Sequence, residues 1–105
     1  MSILAFGINH KSASVDLRGR IAFAPEIVVE SLQAALSDIG AAEIALLSTC
    51  NRTEIYLRGE VSDEQVLSWL AETKGLDIDE LQSCYYCHRD QQAIRHMICV
   101  ASGLD

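Results

Sequence analysis

The chain has 105 residues, half of them hydrophobic and 22% charged, with a formal net charge of −7. That length is one domain with a modest core of its own. The acidic balance argues against a surface that wraps a nucleic-acid backbone, while leaving contact with one end of an RNA open. No low-complexity or repeated stretch is present. The opening MSILAFGINH lacks the basic region of a secretion signal, and no run is long enough to span a membrane. The four cysteines, Cys50, Cys84, Cys87 and Cys99, are not spaced as a disulfide framework, so a cytoplasmic, reducing setting is expected.

In chain order, Ile3 to Gly7 reads as a short buried strand ending at Asn9-His10. A loop rich in Lys, Ser and Asp follows. Pro25 opens a helix, where its missing N–H costs nothing, and Val28, Leu32, Leu36 and Ile39 recur at helical spacing until Gly40. Glu43 to Ser48 reads as a second buried strand and Thr53 to Leu57 as a third, with Ile55 and Leu57 on one face and Tyr56 on the other. The few polar residues between them make an antiparallel hairpin with Cys50 and Arg52 in its loop. Ser62 and Gln65 form a capping box for a helix that presents Val66, Trp69, Leu70 and Thr73 and stops at Gly75. Asp77 and Glu80 start a short second helix, and Ser83 to Cys87 reads as a last strand. Asp90 caps a final helix whose apolar face is Ile94, Met97, Ile98 and Ala101. The order β-α-β-β-α-α-β-α predicts an α+β fold with a ferredoxin-like βαββαβ core, an antiparallel sheet with helices on one face. Leu104-Asp105 follows directly on a helix, so a longer parent chain is expected.

Several clusters could carry chemistry. CYYCH at Cys84 to His88 has the form of a haem-attachment motif, but that chemistry needs an exported chain. A zinc site from Cys84, Cys87, His88 and Cys99 would need four converging ligands. Small thiols packed as hydrophobes are the plainer reading. His96 falls nearly opposite the apolar face of its helix, which makes it either an exposed histidine or part of a cleft on that side. Asn9 and His10 read as turn residues. Cys50, by contrast, sits in a loop, where a thiol is accessible. Arg52 brings a guanidinium that could lower the thiol pKa or fork onto a substrate carboxylate. Thr49 and Asn51 offer hydrogen bonds. The set suits attack on an activated carboxyl carbon of an anionic ligand, and on residue type alone it suits a capped hairpin loop equally.

Four stretches resemble glutamyl-tRNA reductase, specifically its N-terminal catalytic domain: GINHKSA at Gly7–Ala13, STCNRTEIY at Ser48–Tyr56, RHM at Arg95–Met97 and VASGLD at Val100–Asp105. The resemblance spans the chain. It implies reduction of the activated α-carboxyl of glutamyl-tRNA with NADPH to glutamate-1-semialdehyde, the first committed step of tetrapyrrole synthesis. It implies Cys50 as nucleophile through a thioester, His96 as a residue important for activity, Arg52 as the clamp on the glutamate side chain, and Thr49 and Asn51 as positioning groups. It also implies that NADPH binding and homodimerisation belong to domains absent from these residues, since no G-x-G-x-x-G occurs here. Two departures stand out. Lys11 is followed by Ser12-Ala13-Ser14 where the family often has a proline, and Arg18-Gly19 replaces its Arg-Glu. A metal- or haem-binding module and a non-catalytic interaction domain are the rival readings.

Overall fold

The computed structural model describes residues 2–104. Its first strand, β1, runs Ile3–Asn9, past the expected end at Gly7. Part of the expected loop is instead a helix, α1, Val15–Ile21. Ser14 caps it by accepting from the Leu17 amide at 3.2 Å, and Leu17 and Ile21, one turn apart, are its buried residues. Pro25–Ile27 is a single 3₁₀ turn leading straight into α2, Val28–Ile39. Gly40 closes α2 at φ 80, a left-handed conformation that a Cβ would disfavour.

β2, Glu43–Ser48, and β3, Arg52–Arg58, form the predicted antiparallel hairpin. α3, Asp63–Lys74, starts at the Ser62/Gln65 capping box and ends at Gly75. α4, Ile78–Gln82, is capped by Asp77, and is followed by β4, Tyr86–Arg89, and α5, Asp90–Ala101. β4 begins later than Ser83, because the Cys84 and Tyr85 amides are turned back onto the Leu81 carbonyl, each at 3.1 Å. Asp90 is not a cap. It is the first residue of α5, at φ 52, and its carboxylate accepts instead from the Ile3 amide at 3.1 Å.

The sheet order is β2-β3-β1-β4 with every neighbour antiparallel, the expected ferredoxin-like α+β arrangement. β2 lies at an edge, so its residues are exposed or half-buried rather than fully buried. Alternation along each strand then divides the residues between two faces. On one face Leu4, Phe6 and Ile8 pair with Leu57, Ile55 and Thr53. The apolar members join residues of α1, α2, α3 and α4, among them Leu17, Ile39, Val66, Leu70 and Leu81, in one buried cluster. Each such side chain contributes roughly 1.5–3 kcal/mol. No helix among the described residues is long and apolar enough to cross a membrane.

The helices are not all on that face. α5 packs on the other one, over β1 and β4, with Ala93 fully buried outside the main cluster. Its inward side shares only Met97 with the predicted stripe. Ile94 and Ile98 are 46% and 60% exposed, and Ala101 is exposed, whereas Ala93, His96, Met97 and Val100 face the protein. The hydrophobic stripe of α5 therefore misleads, because what holds this helix down includes a polar contact.

Candidate functional site

That contact is Glu54, in the middle of β3 on the α5-facing side of the sheet, paired in register with Gly7 of β1. Its side chain is 1% exposed. A buried carboxylate is costly unless its lone pairs are satisfied, and four groups converge on this one. Arg52 donates from Nη1 at 3.1 Å, and the hydroxyls of Tyr56 and Tyr86 donate to its two oxygens. His96 reaches from α5 with Nε2 at 2.7 Å, on the same Oε2 that Arg52 and Tyr86 touch.

Burial alone pushes the Glu54 carboxyl up. The hydrogen bonds from Tyr56, Tyr86 and His96, with the charge of His96, outweigh it and hold the group below its ordinary value. An ionised carboxylate only accepts, so the His96 Nε2 carries a hydrogen. The imidazole is held further by rings. His88 lies 4.6 Å away, centroid to centroid and tilted by 30°, and Tyr86 meets His96 edge-on at 5.4 Å.

Gly7 makes this convergence possible. A Cβ there would stand 2.7 Å from the Tyr86 hydroxyl and 2.8 Å from the Glu54 Cγ, closer than packed atoms approach. The glycine is needed for space between β3 and β4, at the centre of the sheet.

Cys50 lies at the tip of the β2–β3 hairpin and is exposed. Thr49 shapes this tip from within. Its hydroxyl accepts from the amides of Asn51 and Arg52, both at 3.2 Å, and its own amide donates to the Arg52 carbonyl at 2.7 Å. From α1, the Arg18 Nη1 donates to the Cys50 carbonyl at 3.3 Å. Asn51 is exposed beside it. Arg52 is not in the loop as the spacing suggests. It is the first residue of β3, pairs with Asn9, and its side chain is only 9% exposed.

The structure thus brings Arg52 and His96 onto one carboxylate oxygen, with Thr49, Cys50 and Asn51 on the turn that immediately precedes Arg52. Inspection of the sequence misses Glu54, Tyr56, Tyr86, Gly7 and Arg18 as members of this cluster, and it weighs His88 only as a zinc or haem ligand. One signal was available: in RTEIYL the apolar Ile55 and Leu57 alternate with Glu54 and Tyr56, so a strand with one apolar face must put that glutamate on the other.

The CYYCH residues do not converge. Cys84 donates from Sγ to the Glu80 carbonyl at 3.3 Å, and Cys87, opposite Phe6, faces the main core. His88, opposite Ala5, takes the other face. Burial pushes both thiols up, reinforced at Cys84 by Glu80. Among the described residues, no three His, Cys, Asp or Glu side chains are grouped to hold a metal ion. A groove of 410 Å³ opens beside His96, lined by His88, Gln92, Arg95 and Cys99. The larger depression, 730 Å³, is lined by α2 and α3 and contains none of the site residues.

The fold and the site define a ferredoxin-like α+β domain with an exposed thiol at a hairpin tip and a buried carboxylate network behind it. The family model described as "Glutamyl-tRNAGlu reductase, N-terminal domain" matches residues 6–105. The chain is 55% identical to the glutamyl-tRNA reductase of Stutzerimonas stutzeri over 106 aligned residues, all of this chain and 25% of that one. It is 51% identical to the one of Pseudomonas aeruginosa over the same shares. A solved glutamyl-tRNA reductase from Methanopyrus kandleri superposes with a TM-score of 0.70 at 29% identity, covering 97% of this chain and 22% of that one. The chain belongs to the glutamyl-tRNA reductase N-terminal domain family, and it spans about a quarter of the length of the relatives it matches.

Proposed function

We propose that these residues are the catalytic domain of an NADPH-dependent glutamyl-tRNA reductase, acting at the start of tetrapyrrole synthesis in the cytoplasm. In this reading the Cys50 sulfur attacks the ester carbon of glutamyl-tRNA. An S–C bond forms, the bond from carbon to the ribose oxygen breaks, and that oxygen leaves with a proton. Arg52 receives the side-chain carboxylate of the glutamyl group, held at a fixed angle by Glu54, and Thr49 and Asn51 shape the turn around the reacting carbon. His96 holds a proton at Nε2 against Glu54 and supports the same carboxylate. Reduction of the thioester would take a hydride at the acyl carbon, supplied by NADPH, with the Cys50 thiolate as leaving group, giving glutamate-1-semialdehyde. An all-antiparallel sheet lacks the parallel βαβ crevice that binds a dinucleotide. The proposal therefore places NADPH, like the dimer contact, on parts of the reductase outside these residues.

The observation that supports this most is the placement of the accessible thiol two residues before an arginine tied to a buried carboxylate at 3.1 Å. With glutamyl-tRNA and no NADPH, the chain should speed deacylation of the tRNA through a hydrolysable thioester. Cys50→Ser should reduce that rate to the uncatalysed background. Deacylation that survives the substitution would refute the nucleophile.

A further inference from the structure

The charge of the chain is −7, yet the end of the domain that carries Cys50 is cationic. Two loops meet there, the β1–α1 turn and the β2–β3 tip, since Asn9 at the end of β1 pairs with Arg52 at the start of β3. The segments 9–18 and 48–51 hold His10, Lys11 and Arg18 and a single carboxylate, Asp16, which is engaged by the Arg20 Nε at 3.2 Å, whereas the charge of Arg52 next to them is already paired with Glu54 at 3.1 Å. His10 and Lys11 are exposed. Arg18 gives its hydrogen bonds to backbone carbonyls, those of Ser14 and Cys50, and no carboxylate among the described residues pairs with it. The opposite end of the sheet differs. There Arg58 pairs with Glu43, and Arg89 with Asp63 at 3.8 Å.

The cationic turn is also pre-formed. The buried Asn9 side chain accepts from the amides of Lys11 and Ser12, at 2.9 and 3.2 Å, and the Asn9 amide donates to the Ser12 hydroxyl at 3.0 Å. Lys11 is thus presented from a fixed backbone without a folding cost on binding.

We infer that Lys11 and Arg18, with His10, form a phosphodiester-binding collar around Cys50 that receives the 3′-terminal backbone of an aminoacyl-RNA. This rests on the proposed function for the identity of the ligand. Its chemical basis is independent. An ester on a terminal ribose brings with it the phosphodiester that joins that nucleoside to the one before. An anion must therefore arrive near the thiol whenever the ester carbon does. A local collar also reconciles RNA contact with an acidic chain: only one end of the molecule needs to be basic.

The test uses the 105-residue chain and compares alkylation of Cys50 by iodoacetate, which is anionic, with iodoacetamide, which is neutral. The ratio cancels any change in thiolate fraction and reads local charge alone. The ratio should exceed that of an unstructured cysteine peptide by about threefold and fall towards it in 1 M salt. Arg18→Gln combined with Lys11→Gln should abolish the excess, while Arg18→Lys should retain it. The dinucleotide cytidylyl-adenosine, which carries one phosphodiester, should protect Cys50 from iodoacetamide better than adenosine does. A wild-type ratio equal to the peptide's, a ratio untouched by the double variant, loss of the excess in Arg18→Lys, or equal protection by cytidylyl-adenosine and adenosine would each overturn the collar. Acylation by a glutamyl ester is scored separately: its absence with the charge preference intact would count against the proposed function and not against the collar.

Discussion

The two faces of the sheet are built from the same strands and held by opposite means. On the face covered by α1 to α4, Leu4, Phe6, Ile8, Ile55 and Leu57 interlock with apolar neighbours, and each contact is small and non-directional. One residue over, on the face covered by α5, Glu54 sits in a ring of Arg52, Tyr56, Tyr86 and His96. The first face loses stability in proportion to the volume removed. The second depends on every partner being present, because a buried charge left alone is penalised more than a cavity of the same size. β3 serves both faces at once, so the rigidity of the core is transmitted directly to the residues around the site.

The sharpest way to break the comparison is to cut each face at its centre. Phe6→Ala should cost about 4 kcal/mol in denaturant unfolding by leaving a cavity. Glu54→Gln should cost about 3 kcal/mol, because Arg52 keeps its charge in a buried place without its counter-ion. The two variants should separate further with pH. The Glu54 carboxyl is held below its ordinary value of 4.5, so the folded state binds this proton less readily than the unfolded chain. Its contribution is complete above that range and is lost as pH falls through the lowered value. The acid limb of the stability curve should therefore flatten in Glu54→Gln and stay unchanged in Phe6→Ala. Identical pH curves for the two would deny Glu54 its ionised, fully paired state.

Smaller effects sharpen the picture. Gly7→Ala should destabilise by about 1–3 kcal/mol, as the new methyl forces Tyr86 and Glu54 apart. Gly19→Ala, inside α1 with nothing within 4 Å of the added Cβ, should instead stabilise by about 0.5–1 kcal/mol. Thermal melts of the pair give opposite signs if the glycine in β1 serves the site. Least of all, Ile98→Ser on the exposed side of α5 should stay within about 0.5 kcal/mol of the parent. A loss of several times that would mean that the apolar stripe faces inward after all.

Much of the framework was legible in the sequence because its signals are local. The Ser62/Gln65 box, Gly40 and Gly75, and the alternation in TEIYL mark α3, the ends of α2 and α3, and β3 without reference to anything distant. α1 was hidden because seven residues containing Gly19 and three charges read as a loop, and only Ser14, Leu17 and Ile21 carry its helix signal. The orientation of α5 was hidden for a different reason. A hydrophobic pattern ranks Ile94 and Ile98 above His96, but the partner that draws His96 inward lies 42 residues earlier. The same holds for Arg52, whose reach to Glu54 depends on the register of β3. The exposed loop position of Cys50 was legible because it is local; what surrounds it was not.

The most direct test of the account is to find where the glutamyl group goes. The chain is mixed with an activated glutamyl ester, quenched in acid and digested, and the acylated peptide is identified by mass spectrometry. The account predicts a hydroxylamine-labile adduct on Cys50, absent from Cys50→Ser and unaffected by substitution of Cys84, Cys87 or Cys99. An adduct on one of those three, or one that forms equally in Cys50→Ser, would contradict it.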